Sequence, residues 1–253
     1  MNVSIDPRLF VAFLLTSTRC AAWLAVSPPF QGAVPGKVRA GLALALGLVV
    51  APSLSHNPDL PIGDTGALVG SLVFQVAIGL ALGTLVMVLF QAVMSAGSSI
   101  DTFAGLTSAS IYDPTSRSSA APMGRLYQTL GTLVLFATGG HLVLIGGLMR
   151  TFDAAPLGGF RIDRMAELIT HNVGQFLIAT LQIGAPLLGA LFVTELLLGL
   201  ASRAAPQLNI LVVGFGVKGI VLVSLAAAAF PLVVVAVPRL TSASLDAMWA
   251  LVR

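Results

Sequence analysis

Charge is scarce in this chain. Only 9% of its 253 residues are Asp, Glu, Lys or Arg, while 57% are hydrophobic; a soluble domain has about a quarter of its residues charged. Too little charge remains to cover a water-facing surface. With a mean hydropathy of +0.97, the composition is that of an integral membrane protein. Cysteine is scarcer still: Cys20 stands alone, which excludes an intramolecular disulfide. No Cys/His set has metal-ligand spacing, so neither a metal nor a cofactor is expected. The thirteen basic residues form no cluster, which removes nucleic acid as a partner.

Catalytic motifs are missing as well. No H-E-x-x-H and no G-x-S-x-G occurs, and the three histidines, His56, His141 and His171, lie in different kinds of segment. Intramembrane proteolysis requires a nucleophile–base pair or paired aspartates, and neither is seen. No catalytic residue is therefore assigned, and the chain reads as a non-enzyme. Gly214-Phe215-Gly216-Val217-Lys218-Gly219 matches G-x-G-x-x-G by letter. That pattern needs a strand turning into a helix, so inside an apolar segment the glycines are read as close helix contacts. The first residues lack a basic n-region followed by an A-x-A site, so the first apolar run is expected to be retained.

What is present is a series of about six apolar segments, giving an all-α membrane fold in one domain, 1–253. The first runs over about 9–26 with Arg19 inside it. A Pro/Gly-rich turn at 27–36 follows. The next run, about 38–51, has about 14 residues, or about 21 Å of helix, short of a hydrocarbon core of about 30 Å. A Pro-rich loop at 52–66 leads to a long uncharged helix over about 67–96. It carries Gly66-x-x-x-Gly70 and Gly79-x-x-x-Gly83, spacings that admit a second helix closely.

Residues 96–122 turn small and hydroxyl-rich, with Asp101, Asp113 and Arg117. They are read as a connector, either solvated or occupying a pore. A further apolar segment, 123–149, is followed by a loop at 150–160 and an amphipathic turn at 161–172. Another apolar segment spans about 176–199, with a kink expected at Pro186. The last, about 210–237, precedes a short tail at 241–253. Charges placed by a simple alternating topology fall five against six on the two sides, so the positive-inside rule orients nothing. Helices packed inside a larger assembly fit better than a plain six-span bundle.

The stretch Glu195–Gly219 concentrates the polar groups of the second half: Glu195, Arg203, Gln207, Asn209 and Lys218, with Pro206 breaking the helix. It reads as a polar elbow between two apolar arms. Arg19, Glu195 and Lys218 are costly within apolar segments unless paired. Glu195 and Lys218 lie on opposite arms and meet if the arms fold back. A relay in a small secondary transporter is the rival use of these charges, but the internal repeat it calls for is not found.

Four ordered stretches carry a resemblance. They are SPPFQGAVPGKVRAGLALALGLVVAP (27–52), AGSSIDTFAGL (96–106) with Asp113-Pro114, LFATGGHLVLIGGLMRTFDAAPLG (135–158), and RAAPQLN (203–209) with GFGVKG (214–219). Together they resemble the FliR/SctT family of type III export-gate proteins, over about 8–240. The likeness implies a subunit of a helical, cone-like channel in the bacterial inner membrane, within the flagellar basal body. Its partners would be FliP-like and FliQ-like subunits, an FlhB-like neighbour and unfolded secreted substrates. It implies a pore plug at about 104–122, comprising Gly105, Leu106, Ser108, Ile111, Tyr112, Asp113 and Pro114. It also implies that Arg203, Pro206, Gln207 and Asn209 make inter-helix or inter-subunit contacts, beside Glu195 and Lys218. Gly214-Phe215-Gly216 is similar to the flagellar branch, although Gly216 stands where that branch tends to have Pro; the injectisome branch is the alternative.

Overall fold

In a computed structural model the described residues are 6–108, 121–155, 157, 162–205, 207 and 209–252. Among them there is no strand, and eight α-helices are present. These are α1 (Pro7–Val26), α2 (Pro28–Ala33), α3 (Gly36–Ser55), α4 (Thr65–Ala104), α5 (Pro122–Ala137), α6 (Gly140–Ala154), α7 (Ile162–Ala204) and α8 (Ile210–Val252). Five of them, α1, α3, α4, α7 and α8, are long and apolar enough to cross a membrane, and α5 with α6 would make a sixth. The expected all-α membrane fold is what is found.

Several boundaries move outward from where the sequence suggested. The run expected over 38–51 is a 20-residue helix, about 30 Å long and sufficient to span. Its ends extend into Gly36–Lys37 and, through Pro52, to Ser55. The turn expected at 27–36 contains the six-residue α2, started by Pro28 and Pro29, whose fixed φ suits first helical positions. Of the amphipathic turn expected at 161–172, residues 162–172 are instead the first part of the 43-residue α7. The tail joins α8, which runs through Pro231 and Pro238. Pro186 also lies inside its helix without ending it. In an apolar surround a broken ladder has no water to turn to, so a long helix continues through an isolated proline. The segment 123–149 breaks at Gly139, which takes φ +72°, a conformation that only glycine adopts freely.

The chain divides into two compact units. The first comprises Met1–Leu89, Gly139–Gly174 and Leu240–Arg253. Its α1 begins at Asp6, whose carboxylate accepts from the Arg8 N–H at 2.9 Å, and ends where Ser27 meets Pro28. α1 packs along α3. Thr16 Oγ1 donates to the Gly47 carbonyl at 2.9 Å, and a Cβ on Gly47 would lie 2.8 Å from the Ser17 backbone. Ala12, Leu15, Ala51, Leu54 and Leu60 form a core cluster there.

The two glycine pairs on α4 separate cleanly. A Cβ on Gly79 would fall 2.5 Å from the Arg19 carbonyl oxygen, and one on Gly83 would fall 3.1 Å from that of Trp23. These two glycines let α4 approach α1 backbone to backbone. Gly70 meets nothing within 4 Å, and Gly66 meets only Asp64.

The second unit comprises Phe90–Thr138 and Gln175–Arg239. Val93, Ala96, Ile100, Tyr127, Leu135, Leu187, Leu191, Val233 and Val237 are among its buried residues. Glycine again sets close approach. Gly131 faces Val93, and Gly97 faces the Met123 backbone.

Gly79→Leu is expected to destabilise the purified protein by about 1–3 kcal/mol through overpacking, whereas Gly70→Leu leaves it unchanged. Thermal unfolding of the two variants in one detergent reads the difference. Equal melting temperatures would show that the Gly79 contact supports nothing.

Candidate functional site

Three polar constellations are held in otherwise apolar surroundings. The first is built on Arg19, which is 0% exposed. Its Nε donates to Gln75 Oε1 at 2.6 Å. One Nη donates to the Thr151 carbonyl at 3.3 Å, and the other to the Ala155 carbonyl at 2.8 Å. The guanidinium carbon also lies 4.2 Å from the centre of the Phe152 ring, a cation–π distance.

Thr151 and Ala155 belong to the last turn and cap of α6, where carbonyls lack intrahelical donors and the helix dipole favours a cation. The planar fork of an arginine reaches both carbonyls and Gln75 at once. One side chain thus ties α1, α4 and α6 together. Sequence reasoning singled out Arg19 but missed its partners. Gln75, one of two amides in an otherwise apolar, uncharged run over 67–96, was a visible signal. The carbonyls of Thr151 and Ala155 left none, because any residue supplies a carbonyl.

The second constellation is the elbow. α7 ends at Ala204 and α8 begins at Ile210, making a helical hairpin of the kind a short loop produces. Ala205 N–H still bonds to the Ala201 carbonyl at 2.9 Å, and the Asn209 carbonyl accepts from Val212 and Val213 N–H, each at 3.1 Å. Across the arms, Lys218 Nζ forms a salt bridge with Glu195 Oε2, the lysine side chain being 17% exposed and the carboxylate side chain 61%. The Gly214 position faces Leu198 of the other arm, where a Cβ would sit 3.3 Å away. The glycines of the dinucleotide-like string therefore lie on a continuous helix.

Arg203, Gln207 and Asn209 are exposed, and Pro206 lies outside the described residues. Of the residues expected in the plug, Gly105 follows α4 at φ +79°, and its N–H bonds to the Thr102 carbonyl at 3.1 Å. Leu106 and Ser108 bound a 3-10 turn. Ile111, Tyr112, Asp113 and Pro114 lie outside the described residues.

Just before this turn stands Asp101, a residue the sequence reading placed in the connector. It is instead 0% exposed. Its Oδ1 accepts from Met123 N–H at 3.0 Å and its Oδ2 from Gly124 N–H at 2.9 Å. Those are the second and third residues of α5, so a carboxylate from α4 performs the N-capping that a side chain at Ala121 cannot. Among the described residues no group of three His, Cys, Asp or Glu side chains could hold a metal.

Long apolar helices, joined by buried polar groups that bond to backbone or to each other, define a multi-pass membrane protein whose polar chemistry fixes helices. Comparison with known proteins gives the class. The model for "Bacterial export proteins, family 1" matches residues 10–243. The chain is 37% identical to the flagellar biosynthetic protein FliR of Escherichia coli K12, over 80% of this chain and 77% of that one. It is 31% identical to FliR of Bacillus subtilis, over 86% and 85%. It is 29% identical to the Yop proteins translocation protein T of Yersinia pestis, also over 86% and 85%. The chain belongs to the FliR/SctT family of bacterial export proteins. It is a multi-pass inner-membrane protein, and the flagellar branch is the better supported of the two.

Arg19→Ala leaves the Gln75 amide and two carbonyls short of their donor and is expected to cost about 3–5 kcal/mol. Arg19→Lys recovers less than half of that, because a point charge cannot reach three acceptors together. Denaturant unfolding in detergent measures both. A loss below about 1 kcal/mol in the alanine variant, the size of an ordinary surface change, would contradict the clamp.

Proposed function

We propose that this protein is a non-enzymatic core subunit of the flagellar type III export gate. In this reading it helps to form and close the channel through which unfolded flagellar substrates cross the inner membrane. FliP-like and FliQ-like chains are its partners in the wall, with an FlhB-like protein as neighbour. Family membership over 10–243 supports the export role, and the α7–α8 hairpin supports the channel role.

The observation that carries the proposal is the exposure of the Glu195 carboxylate, 61% open on its arm. Phe192, one turn earlier on the same helix, and Leu196 beside it are also exposed. A carboxylate facing lipid is expensive even when paired on one side. A neighbouring subunit or a water-filled channel relieves that cost. Arg203, Gln207 and Asn209, all exposed at the turn, supply further polar contacts for such a neighbour. Residues 104–122 close the channel when no substrate passes. Small and hydroxyl side chains suit a plug that must leave its seat without losing much buried apolar area.

A charge relay of the transporter kind is less well supported. Arg19 is bound to backbone carbonyls and an amide, and Lys218 to Glu195. Groups engaged in this way fix helices.

Co-expression with FliP-like and FliQ-like chains, purification through a tag on this chain and native mass spectrometry are expected to return a defined hetero-oligomer. A lone monomer, with the partners well expressed, would refute the reading. In the same experiment Arg203→Ala is expected to lower recovery of the assembly more than synthesis of the chain; unchanged assembly with export lost would move Arg203 into the transport path.

Deleting part of 106–120 is expected to make the assembled channel leak small ions. A channel as tight as before would remove the plug.

A further inference from the structure

The open sides of the long helices are mostly apolar. Leu44, Leu48 and Val49 of α3 and Leu177, Ile178 and Leu181 of α7 are exposed, as contact with lipid or an apolar subunit surface requires. The later part of α4 and the whole of α5 depart from this. Over 91–102 the accessible positions of α4 are 91, 94, 95, 98, 99 and 102, which is the spacing of one helix face. They hold Gln91, Ser95, Ser98, Ser99 and Thr102, and Met94 is the one apolar member. Between them Ala92, Val93, Ala96 and Ile100 are buried. On α5, Arg125, Gln128 and Thr129 are exposed and Thr132 is half-buried, again at the spacing of one face. The other open side of α5 carries Leu126 and Leu133.

Helix contacts set the two polar stripes beside each other. Gly97 faces Met123, Gly124 faces Ser98 and Gly131 faces Val93, so α4 and α5 run antiparallel. Both stretches lie in the second compact unit. Counted round each helix from those contacts, at about 100° per residue, the stripes fall on the same side of the pair. Their hydroxyls are already engaged. Ser98, Ser99 and Thr102 donate to the carbonyls of Met94, Ser95 and Ser98 at 2.9–3.1 Å. Thr129 and Thr132 donate to those of Arg125 and Gln128, each at 2.9 Å.

We propose that this two-helix face lines the water-filled path of the channel, and that what passes over it is an extended polypeptide. The inference rests on the channel reading and adds which surface the passing chain meets. Hydrocarbon is the wrong neighbour, because Arg125 and two glutamine amides facing lipid are costly. The serines alone would suit a closely packed helix, but Gln91, Gln128 and Arg125 are long and hold such a helix off. Nor is the face built for a fixed ligand. Its hydroxyl donors bond to their own helices, and its positions include one cation and no carboxylate. What remains is a wet surface with little apolar area to adhere to. That suits a chain of any sequence moving along it.

The native Cys20 is 0% exposed, so a single cysteine placed elsewhere reports alone. Ser99→Cys on α4, Gln128→Cys on α5 and Leu133→Cys on the apolar side are made in the full chain. Each is co-assembled with FliP-like and FliQ-like chains and treated in membrane vesicles with a charged, water-soluble methanethiosulfonate. Positions 99 and 128 are expected to react at least about tenfold faster than 133, since an apolar surround withholds the reactive thiolate. A flagellar substrate stalled by a tightly folded domain at its C-terminus is expected to slow both severalfold. Two substrates of unlike sequence are expected to protect alike.

Reaction at 99 and 128 as slow as at 133 would overturn the inference, because a packed subunit or lipid would then cover the face. Fast reaction that a stalled chain leaves unchanged would do so too, since the face would be wet but outside the path. Protection by one substrate and not the other would replace a passing chain with a specific ligand. Failure of the gate reading is seen separately, in the mass of the purified assembly: a lone monomer removes the channel, and this inference with it, whatever the labelling shows.

Discussion

The structure depends on a single constraint: a polar group placed among apolar helices must find its partner within the protein. Arg19 meets the constraint with the end of another helix. The last carbonyls of α6 have no intrahelical donors, and the guanidinium has five N–H groups and no acceptor of its own. Each needs the other in a surround without water. Gln75 and the Phe152 face complete the site. Because the partners sit on α1, α4 and α6, satisfying one charge also sets the spacing of three helices. Gly79 and Gly83 then allow the α1–α4 approach that this spacing demands.

The same logic recurs with the sign reversed. Asp101 is an anion at a helix start, where N–H groups are in excess, and Arg19 is a cation at a helix end, where carbonyls are in excess. Both use the helix dipole in its favourable sense. Glu195 and Lys218 form the third solution, a direct pair across a hairpin. None of the three brings together a nucleophile with a base, or a set of ligands around an empty centre. What they have in common is that they determine where helices begin, end and touch, which is the capability a channel wall needs.

Much of this was legible in the sequence. Low charge and long apolar runs gave the membrane class, and four ordered stretches gave the family. The elbow was visible because Glu195, Arg203, Gln207, Asn209 and Lys218 interrupt apolar sequence, but whether its arms fold back to pair Glu195 with Lys218 was not legible there; the structure shows the pair. Helix ends were less legible. Pro52 and Pro238 bordered the apolar segments expected over about 38–51 and 210–237, yet the helices pass through them. In an apolar surround continuing the ladder costs less than exposing it. The partners of Arg19 and Asp101 were harder still, since four of them are backbone groups, and residue identity does not report where a carbonyl or an N–H will be needed. The glycine repeats carried half a message: two such pairs on one helix looked alike, and only packing against α1 separated Gly79 and Gly83 from Gly66 and Gly70.

The salt bridge across the hairpin also bears on how the chain enters the bilayer. Released singly into lipid, α7 would carry an unneutralised carboxylate and α8 an unneutralised ammonium, each adding a penalty of about 2.5–3.5 kcal/mol if it lay mid-helix. Delivered together, the two arms present a neutral pair. The ion pair thus makes each of the last two long helices cheaper to hold in an apolar surround beside the other than alone.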